Sequence, residues 1–377
     1  IGQATTIDSV TYDIFTNPAL NSSVRLLIDQ DLTVTEPALS TIELSNIETN
    51  LNGGFVINGI TQYDRAGYSV SNAGDVNGDG LDDLLISSPT VGGDYSGESY
   101  VVFGKTDNAT VELSDIRAGT GGFAIDGGGA SDKNGHSSSN AGDVNGDGLD
   151  DIIIGAYKDG PNAVYSGESF VIFGKTSGTI VEITDIQSGK GGFSIEGQSA
   201  NDSSGISVSN AGDVNGDGLD DLIVGSYGSD ISANNSGSSF VVFGKTSGAN
   251  VELSNIASAT GGFVINGASA VDASGFSVSA AGDVNDDGLS DLIVGAGGAD
   301  INGNNSGSSY VVFGKTTTTA IELSDVNAGS NGFSINGVTA TDLSGFSVSN
   351  AGDVNGDGLD DVIIGAYGDD PNGESSG

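Results

Sequence analysis

Cysteine and tryptophan are absent from this sequence, and histidine occurs once, as His136. The absence of cysteine excludes disulfide bonds and thiolate metal sites. No apolar run approaches the roughly 18 residues that a membrane span requires, so we expect no membrane insertion of this segment. No signal peptide is recognisable and the chain begins at Ile1, which indicates a processed N-terminus or a fragment.

Positive charge is also scarce, because 10 lysine and arginine residues stand against 51 aspartate and glutamate residues, for a net charge of −41. Nucleic acids and anionic membranes repel such a chain, so neither is an expected partner. A strongly acidic, solvated surface favours an extracellular location, secreted or at the cell surface. Adaptation to salt is an alternative explanation for part of this charge.

The sequence is instead rich in a nine-residue acidic motif, which first occurs at Asp75–Asp83 as Asp-Val-Asn-Gly-Asp-Gly-Leu-Asp-Asp. Calcium prefers six to eight oxygen ligands. The side chains at positions one, three, five and nine and the carbonyl at position seven can supply oxygens to one centre. Glycine at position six permits the positive φ that such a turn usually demands.

The motif occurs five times, and successive copies start 68, 70, 70 and 70 residues apart. The fourth copy has Asp286 at position four and Ser290 at position eight, so those positions are predicted to be tolerant. We therefore predict about five Ca²⁺ sites. We expect Asp220→Ala, at position eight, neither to remove a calcium ion nor to loosen the structure of its repeat. The predicted metal ligands are Asp75, Asn77, Asp79, Leu81, Asp83, Asp143, Asn145, Asp147, Leu149, Asp151, Asp213, Asn215, Asp217, Leu219, Asp221, Asp283, Asn285, Asp287, Leu289, Asp291, Asp353, Asn355, Asp357, Leu359 and Asp361.

Two other interpretations of the motif are weaker. Asn-Gly-Asp-Gly is also ordinary turn chemistry, but a plain turn does not need three aspartates directed inward, whose mutual repulsion is costly without a cation. An EF-hand needs a bidentate glutamate at position twelve and flanking helices. Position twelve is apolar in every copy, within short β-branched runs: Ile86, Ile154, Val224, Val294 and Ile364.

Each repeat contains four short β-like segments and no helical periodicity. In the first repeat they are GYSVSNAGD (67–75), DLLISS (83–88), SYVVFGK (99–105) and GGFAIDG (121–127). The second segment is apolar on both faces, as in a strand that is buried on both sides. Four-stranded units that are each too small to bury themselves predict the stacked blades of an all-β β-propeller.

The repeats also carry Gly-Ala at the end of the second strand, as in Gly155-Ala156, and Phe-Gly at the end of the third, as in Phe103-Gly104 and Phe173-Gly174. Together with the acidic motif, these residues resemble the FG-GAP repeat of integrin α-chain propellers over residues 41–377. The first copy departs from the pattern with Ser87-Ser88 in place of Gly-Ala. The resemblance implies a seven-bladed ring, calcium on the loop between the first two strands of a blade, and frequent use in extracellular adhesion or ligand binding.

The ends of the repeat region predict an incomplete ring. Residues 1–40 lack the repeat, and we interpret them as an upstream β segment or a linker; residues 41–377 form the propeller repeats. No segment like SYVVFGK precedes the fourth-strand segment at 53–59, so that strand is expected to stand alone. The fifth copy stops before its third strand, which predicts a truncated last blade. An open arc with exposed edges is expected to self-associate.

Other recurring residues have structural interpretations. Aspartates eleven residues before each motif are expected to cap turns: Asp64, Asp132, Asp202, Asp272 and Asp342. His136 stands where the other copies have Tyr68, Ile206, Phe276 and Phe346, so we expect it to pack and not to catalyse. Lysines at the ends of the third strands are expected to discourage edge pairing. Aromatic residues in those strands, such as Tyr100 and Phe240, are expected to enter the core, with sugar stacking as the lesser alternative.

The loops between the second and third strands differ among repeats, at 90–98, 158–168, 228–238 and 298–308. Such loops bind ligands in many proteins, so we expect a protein or glycan ligand there. The leading prediction is a calcium-binding extracellular propeller for adhesion or recognition, with calcium mainly structural. The alternatives are an accessory propeller of a secreted hydrolase or phospholipase, and a lectin for polar ligands or glycans. We expect no catalytic residues in this chain.

Overall fold

The computed structural model describes residues 54–91, 96–129 and 132–371, together with Ile47, Gly377 and the backbone of 23–26. Within this part of the chain, no helix is long and apolar enough to cross a bilayer. The first half contains β1 (Ser23–Leu26), β2 (Phe55–Asn58), β3 (Ser69–Gly74), β4 (Asp83–Ser88), β5 (Glu98–Val102), β6 (Val111–Glu112), β7 (Gly122–Asp126), β8 (Ser137–Gly142), β9 (Asp151–Ala156), β10 (Glu168–Ile172), β11 (Val181–Glu182) and β12 (Gly192–Glu196). The second half contains β13 (Val208–Gly212), β14 (Asp221–Ser226), β15 (Ser238–Val242), β16 (Val251–Glu252), β17 (Gly262–Asn266), β18 (Ser277–Gly282), β19 (Asp291–Ala296), β20 (Ser308–Val312), β21 (Ile321–Glu322), β22 (Gly332–Asn336), β23 (Ser347–Gly352) and β24 (Asp361–Gly365).

The strands form the predicted blades, each an antiparallel sheet in sequence order. The sheets β3-β4-β5-β7, β8-β9-β10-β12 and β13-β14-β15-β17 each gain a two-residue outer strand from the following repeat, which pairs in parallel. The fourth blade is β18-β19-β20-β22, and the fifth contains the pair β23-β24. The all-β prediction of stacked four-stranded blades is therefore confirmed. Among the described strands no pairing joins β24 to β1 or β2, and the number of seven blades stays a prediction.

The core lies between blades, which explains why the second strand of each blade is apolar on both faces. Ile152 and Ile154 of β9 pack in one cluster with Leu85 of the preceding blade. Ile153, which points to the other face, packs in the next cluster with Leu222 of the following blade. Because side chains alternate between the two faces of a strand, each blade packs apolar side chains against the blade before it and the blade after it. The innermost strands β3, β8, β13, β18 and β23 accordingly contact one another in sequence.

Within each of four repeats, a one-turn helix lies between the third and fourth strands. The sequence analysis did not predict these helices. The helices with described bounds are Leu113–Arg117, Ile183–Gln187, Leu253–Ala257 and Leu323–Asn327. In the first of them, Leu113 and Ile116 are both buried, three residues apart on one side of the turn. A helix of five residues is too short to produce a periodic pattern. The signal that it leaves in the sequence is a pair of apolar residues three positions apart.

The fourth-strand segment at the start of the repeats does not stand alone. β1 pairs antiparallel with β2, from Ser23 opposite Asn58 to Leu26 opposite Phe55. β5 pairs with β7 in the same way. The prediction of a lone strand is wrong because main-chain hydrogen bonds form a strand pair without requiring a SYVVFGK-like sequence. Part of residues 1–40 thus shares a sheet with the repeats.

The last blades expose apolar side chains that are buried in earlier blades. Phe333 is 42% exposed, whereas its counterpart Phe263 is 0% exposed. Ile363 is 61% exposed, whereas Ile293 is 0% exposed. Large exposed apolar side chains of this kind favour association.

We therefore expect this 377-residue chain to self-associate at micromolar concentrations. Sedimentation velocity over a hundredfold range of concentration measures this, and the pair of substitutions Phe333→Ser and Ile363→Ser should reduce the association. A single monomeric species at every concentration would contradict the prediction.

Candidate metal centres

The five acidic motifs lie in the loops between the first and second strands of the blades. In the third loop, Gly216 and Gly218, at positions four and six, have φ of +78° and +91°. Glycine at position six has φ between +83° and +93° in all five copies, as the sequence predicts. Asp286 takes the position-four conformation with φ +60°, which aspartate tolerates better than most residues.

The carboxylate at position one organises its own loop. Asp213 accepts main-chain hydrogen bonds from Gly216 at 2.7 Å, Asp217 at 3.1 Å and Gly218 at 2.9 Å. The corresponding aspartates of the first, second and fifth loops accept the same three bonds. Position one is therefore held inside the turn by the N–H groups that surround it.

In the first four loops, the carboxylate at position nine is buried beneath the loop. Asp221 is 0% exposed and accepts hydrogen bonds from the main-chain N–H of Val214 at 3.0 Å and of Gly244 at 2.8 Å. Asn215, at position three, donates its Nδ2 to the same carboxylate at 3.2 Å. Gly244 is the glycine of the Phe-Gly dipeptide, so the end of the third strand is bonded directly to the acidic loop.

The sequence analysis missed this function of the Phe-Gly glycine. A Cβ on Gly244 would lie 2.6 Å from both Cβ of Leu219 and the carbonyl oxygen of Asp220, so the position is closed to other residues. The repeated occurrence of Phe-Gly at one distance after the motif was the available signal.

Burial raises the pKa of four position-nine carboxyls above the usual range for aspartate. It raises the pKa of Asp151 to about 8 and that of Asp221 to about 7. Nearby carboxylates at positions five and one add to both increases. Burial likewise raises the pKa of Asp83 to about 7 and that of Asp291 to about 6. A cation in the loop would relieve this repulsion.

The candidate ligand atoms of each loop are of the type that a hard cation prefers, since they are carboxylate, amide and carbonyl oxygens. The described residues nevertheless contain no group of three or more His, Cys, Asp or Glu side chains arranged to hold a metal ion. The carboxylate oxygens at positions one, five and nine accept main-chain N–H groups, and the Asn215 amide presents its nitrogen to Asp221. The ligand set predicted from the sequence therefore stays a proposal.

Position eight bonds to the loop of the preceding blade. Oδ2 of Asp220 accepts the main-chain N–H of Asp143 at 2.9 Å. Asp150 makes the same contact with Asp75 at 2.8 Å. This contact revises the expectation that Asp220→Ala leaves the blades unaffected, since removing the carboxylate leaves the Asp143 N–H without its acceptor.

The aspartates that precede each motif by eleven residues cap turns, as predicted. Each accepts the main-chain N–H three residues before it: Asp64 from Thr61, Asp132 from Gly129, Asp202 from Ser199, Asp272 from Ser269, and Asp342 from Thr339. Burial raises the pKa of Asp202 to about 6, against the main-chain bond, and Asp230 nearby adds to the increase.

Asp202→Asn should therefore raise the melting temperature at pH 8 and give no gain at pH 4. The pKa of Asp202 is raised above its ordinary value of 3.8, so the stability it contributes is fully present below pH 3.8 and is lost as the pH rises through about 6. Asparagine keeps an oxygen for the Ser199 N–H and removes the charge. Thermal unfolding at the two pH values measures the difference. An equal effect at both would contradict the assignment.

The remaining recurrent residues pack between blades. His136 lies between Tyr68, whose hydroxyl is 3.1 Å from Nε2, and Tyr157, whose ring centroid is 4.6 Å away. The predicted packing position of His136 is confirmed. Tyr100, Phe170, Phe240 and Tyr310 are at most 1% exposed, which excludes them as a platform for sugar.

The third-strand lysines also pack against the neighbouring blade. Nζ of Lys245 lies 3.7 Å from the centroid of Phe193 in the preceding blade. Lys105, Lys175 and Lys315 lie over Phe55, Phe123 and Phe263 in the same way. The prediction that these lysines chiefly discourage edge pairing is therefore replaced by a cation–π contact between blades.

The variable loops lie at the other end of the blades from the acidic motifs, because they follow the opposite end of the second strand. Each described loop exposes an apolar side chain: Tyr165 is 49% exposed, Ile231 42% and Ile301 48%. Main-chain bonds of 2.9 to 3.0 Å join each of them to the loop that precedes the next blade: Asn201 N–H to the Val164 carbonyl, Val271 to Asn234, and Thr341 to Asn304. Tyr95, in the first variable loop, lies outside the described residues.

Comparison with known proteins identifies related repeats. The profile of the FG-GAP repeat matches five segments, residues 66–102, 134–172, 204–242, 274–312 and 344–377. Each match starts before the first strand of a blade and includes its acidic motif.

Three integrin α chains are similar to parts of this sequence. Integrin alpha-PS2 of Drosophila melanogaster is 33% identical over 190 residues, which cover 48% of this chain and 13% of that protein. Integrin alpha pat-2 of Caenorhabditis briggsae is 36% identical over 115 residues, or 28% of this chain and 8% of that protein. Integrin alpha-4 of Xenopus laevis is 28% identical over 162 residues, or 42% of this chain and 14% of that protein. The matches thus span a small part of each relative.

Proposed function

Because this chain belongs to the FG-GAP repeat proteins and is similar to integrin α chains, we propose that it is an extracellular, calcium-stabilised propeller that binds a protein ligand. Its calcium ions bind at the acidic loops, with modest affinity, on the order of 0.1–1 mM, as in other extracellular modules. In each loop the oxygens at positions one, three, five, seven and nine hold the ion. Its positive charge offsets the mutual repulsion of the buried and exposed carboxylates.

The observation that most supports ligand binding is the arrangement of the variable loops. They are joined to their neighbours by main-chain hydrogen bonds, and they expose Tyr165, Ile231 and Ile301 at the end of the blades remote from the acidic loops. Ordered loops that present apolar side chains among polar ones are suited to protein recognition, since little entropy is lost on binding. The integrin α relatives favour an adhesive protein over other ligands.

A binding screen tests this proposal. We expect the calcium-loaded chain to bind at least one member of a panel of immobilised extracellular matrix proteins in surface plasmon resonance. The combined change Tyr165→Ser, Ile231→Ser and Ile301→Ser should abolish the binding at an unchanged melting temperature. Asp286→Gly, an exposed change at the opposite end that restores the residue of the other four copies, is the matched control and should bind normally.

Two other outcomes would contradict the protein-ligand proposal. Binding only to a glycan array, with the same dependence on the variable loops, would make the chain a lectin. Binding to neither panel would favour an accessory role beside a hydrolase or phospholipase domain. We propose no catalytic function for the chain itself, since His136 packs between two tyrosines.

A further inference from the structure

We propose that neighbouring calcium sites in this chain bind cooperatively, and that the aspartate at position eight of each following loop transmits the coupling. This inference rests on the calcium binding proposed above. It concerns a residue that is not among the proposed ligands.

The eighth residue of one loop holds the first residue of the loop before it. The main-chain N–H of Asp75 donates to Oδ2 of Asp150 at 2.8 Å, and the N–H of Asp150 donates to the Asp75 carbonyl at 3.3 Å. Asp143 and Asp220 make the same two bonds, at 2.9 and 3.3 Å. We call this pair of bonds the inter-loop contact. It joins a proposed ligand of one site to the backbone of the next.

The glycine before position one makes room for the inter-loop contact. A Cβ on Gly74 would lie 2.1 Å from Oδ2 of Asp150, and a Cβ on Gly142 would lie 2.2 Å from Oδ2 of Asp220. A Cβ on Gly282 would likewise lie 2.0 Å from Oδ2 of Asp360. The space that these glycines leave is therefore occupied by position eight of the neighbouring loop.

Position eight can couple two sites because it lies between two proposed ligands, the carbonyl of position seven and the carboxylate of position nine. A calcium ion at the third site restrains Leu219 and Asp221, and with them Asp220. Asp220 in turn fixes the main chain of Asp143, so the second site loses less conformational freedom when it binds its own ion. By thermodynamic linkage, calcium at the second site favours binding at the third by the same factor.

The chain contains one natural interruption of this coupling. Ser290 keeps the main-chain bond to the Asp213 carbonyl, at 3.1 Å, but it has no carboxylate to accept the Asp213 N–H. The side-chain bond is present again at the next boundary, where the N–H of Asp283 donates to Oδ2 of Asp360 at 3.0 Å. The five sites thus fall into a coupled group of three and a coupled pair.

Removing a ligand from one site while observing its neighbour tests the proposal. The N–H of Gly148 donates to Asp143, and that of Gly218 donates to Asp213, so these two amides report calcium binding at the second and third sites. We would titrate ¹⁵N-glycine-labelled chain with CaCl₂ and follow both amides by NMR. Asp217→Ala, at the third site, should raise the calcium concentration at the Gly148 midpoint roughly fivefold or more.

Asp287→Ala is the matched control, since it removes the same ligand from the fourth site. Ser290 interrupts the contact there, so the Gly218 midpoint should change less than about twofold, below the coupling expected for an intact contact. Adding Ser290→Asp should make the Gly218 midpoint respond to Asp287→Ala as strongly as Gly148 responds to Asp217→Ala. Gly212, next to Ser290, leaves the same space as the glycines of the other copies.

Substitutions of Asp220 test whether this residue transmits the coupling. In Asp220→Ala the Gly148 midpoint should no longer respond to Asp217→Ala, and Asp220→Asn, which keeps an oxygen acceptor, should restore part of the response. An unchanged Gly148 midpoint in Asp217→Ala would overturn the cooperative coupling. Equal responses at the two boundaries would overturn its transmission by the position-eight aspartate. Both outcomes leave the proposed calcium binding intact. If no glycine amide of the unaltered chain responds to calcium, the proposed calcium binding itself fails.

Discussion

Removal of calcium should lower the melting temperature of this chain by roughly 10 °C or more. With dissociation constants on the order of 0.1–1 mM, 10 mM calcium stabilises each loop by about 1.4 to 2.7 kcal/mol. The motif occurs five times, and each loop joins the first two strands of a blade. The effect should therefore extend over the whole array of blades.

Differential scanning calorimetry measures this effect in 10 mM CaCl₂, 10 mM MgCl₂ and EDTA at constant ionic strength. Magnesium should restore less stability than calcium, because it is smaller and releases its water ligands reluctantly. The constant ionic strength controls for general screening of the net charge of −41. Identical transitions in calcium and EDTA would show that the loops are turns without a cation.

Asp221→Ala should destabilise the chain by about 2 to 6 kcal/mol even in EDTA. The buried Asp221 carboxylate accepts the main-chain N–H groups of Val214 and Gly244, and alanine leaves both donors without a partner. Each such buried donor costs about 1 to 3 kcal/mol. Chemical denaturation with and without calcium measures the change.

Asp217→Ala is the matched control for this prediction. Asp217 is a proposed ligand of the same site, but it is exposed and its carboxylate accepts only the Leu219 N–H among the bonds described. We expect the variant to lose stability in calcium and to match the unaltered chain in EDTA. If Asp221→Ala were also harmless in EDTA, position nine would not have the structural function that its burial indicates.

The blades were predictable because their sequence signals are local and repeated. The alternation of β3, the apolar β4 and the acidic motif between them define a strand pair and its loop. The buried residues Ile152, Ile153 and Ile154 occupy both faces of one strand, which indicates a strand with a neighbour on each side. Repetition at 70 residues then indicates that the neighbours are copies of the same unit.

Contacts between repeats could not be predicted in the same way. Asp220 and Asp221 are adjacent aspartates that differ in burial and in the direction of the side chain. Neither property can be read from the sequence. The serine at position 290 indicated that position eight is tolerant, whereas the structure places Asp220 against the main chain of Asp143. A residue that bonds to the preceding repeat is invisible to an argument that treats each loop alone.

The pairing of β1 and the role of the Phe-Gly glycine were missed for a related reason. Both depend on main-chain hydrogen bonds: β1 pairs with β2, and the Gly244 N–H donates to Asp221. Main-chain bonds place few demands on side chains, so they leave a weak trace in the sequence. In the case of Gly244 the trace is the absence of a side chain.

Equilibrium dialysis with ⁴⁵Ca²⁺ tests the central claim of calcium binding most directly. In 0.5 M NaCl, which suppresses non-specific attraction to the acidic surface, the chain should bind five calcium ions, one for each motif. Asp217→Ala should bind four under the same conditions. A chain that binds no calcium at millimolar concentrations, or a variant that binds as many ions as the unaltered chain, would contradict the account.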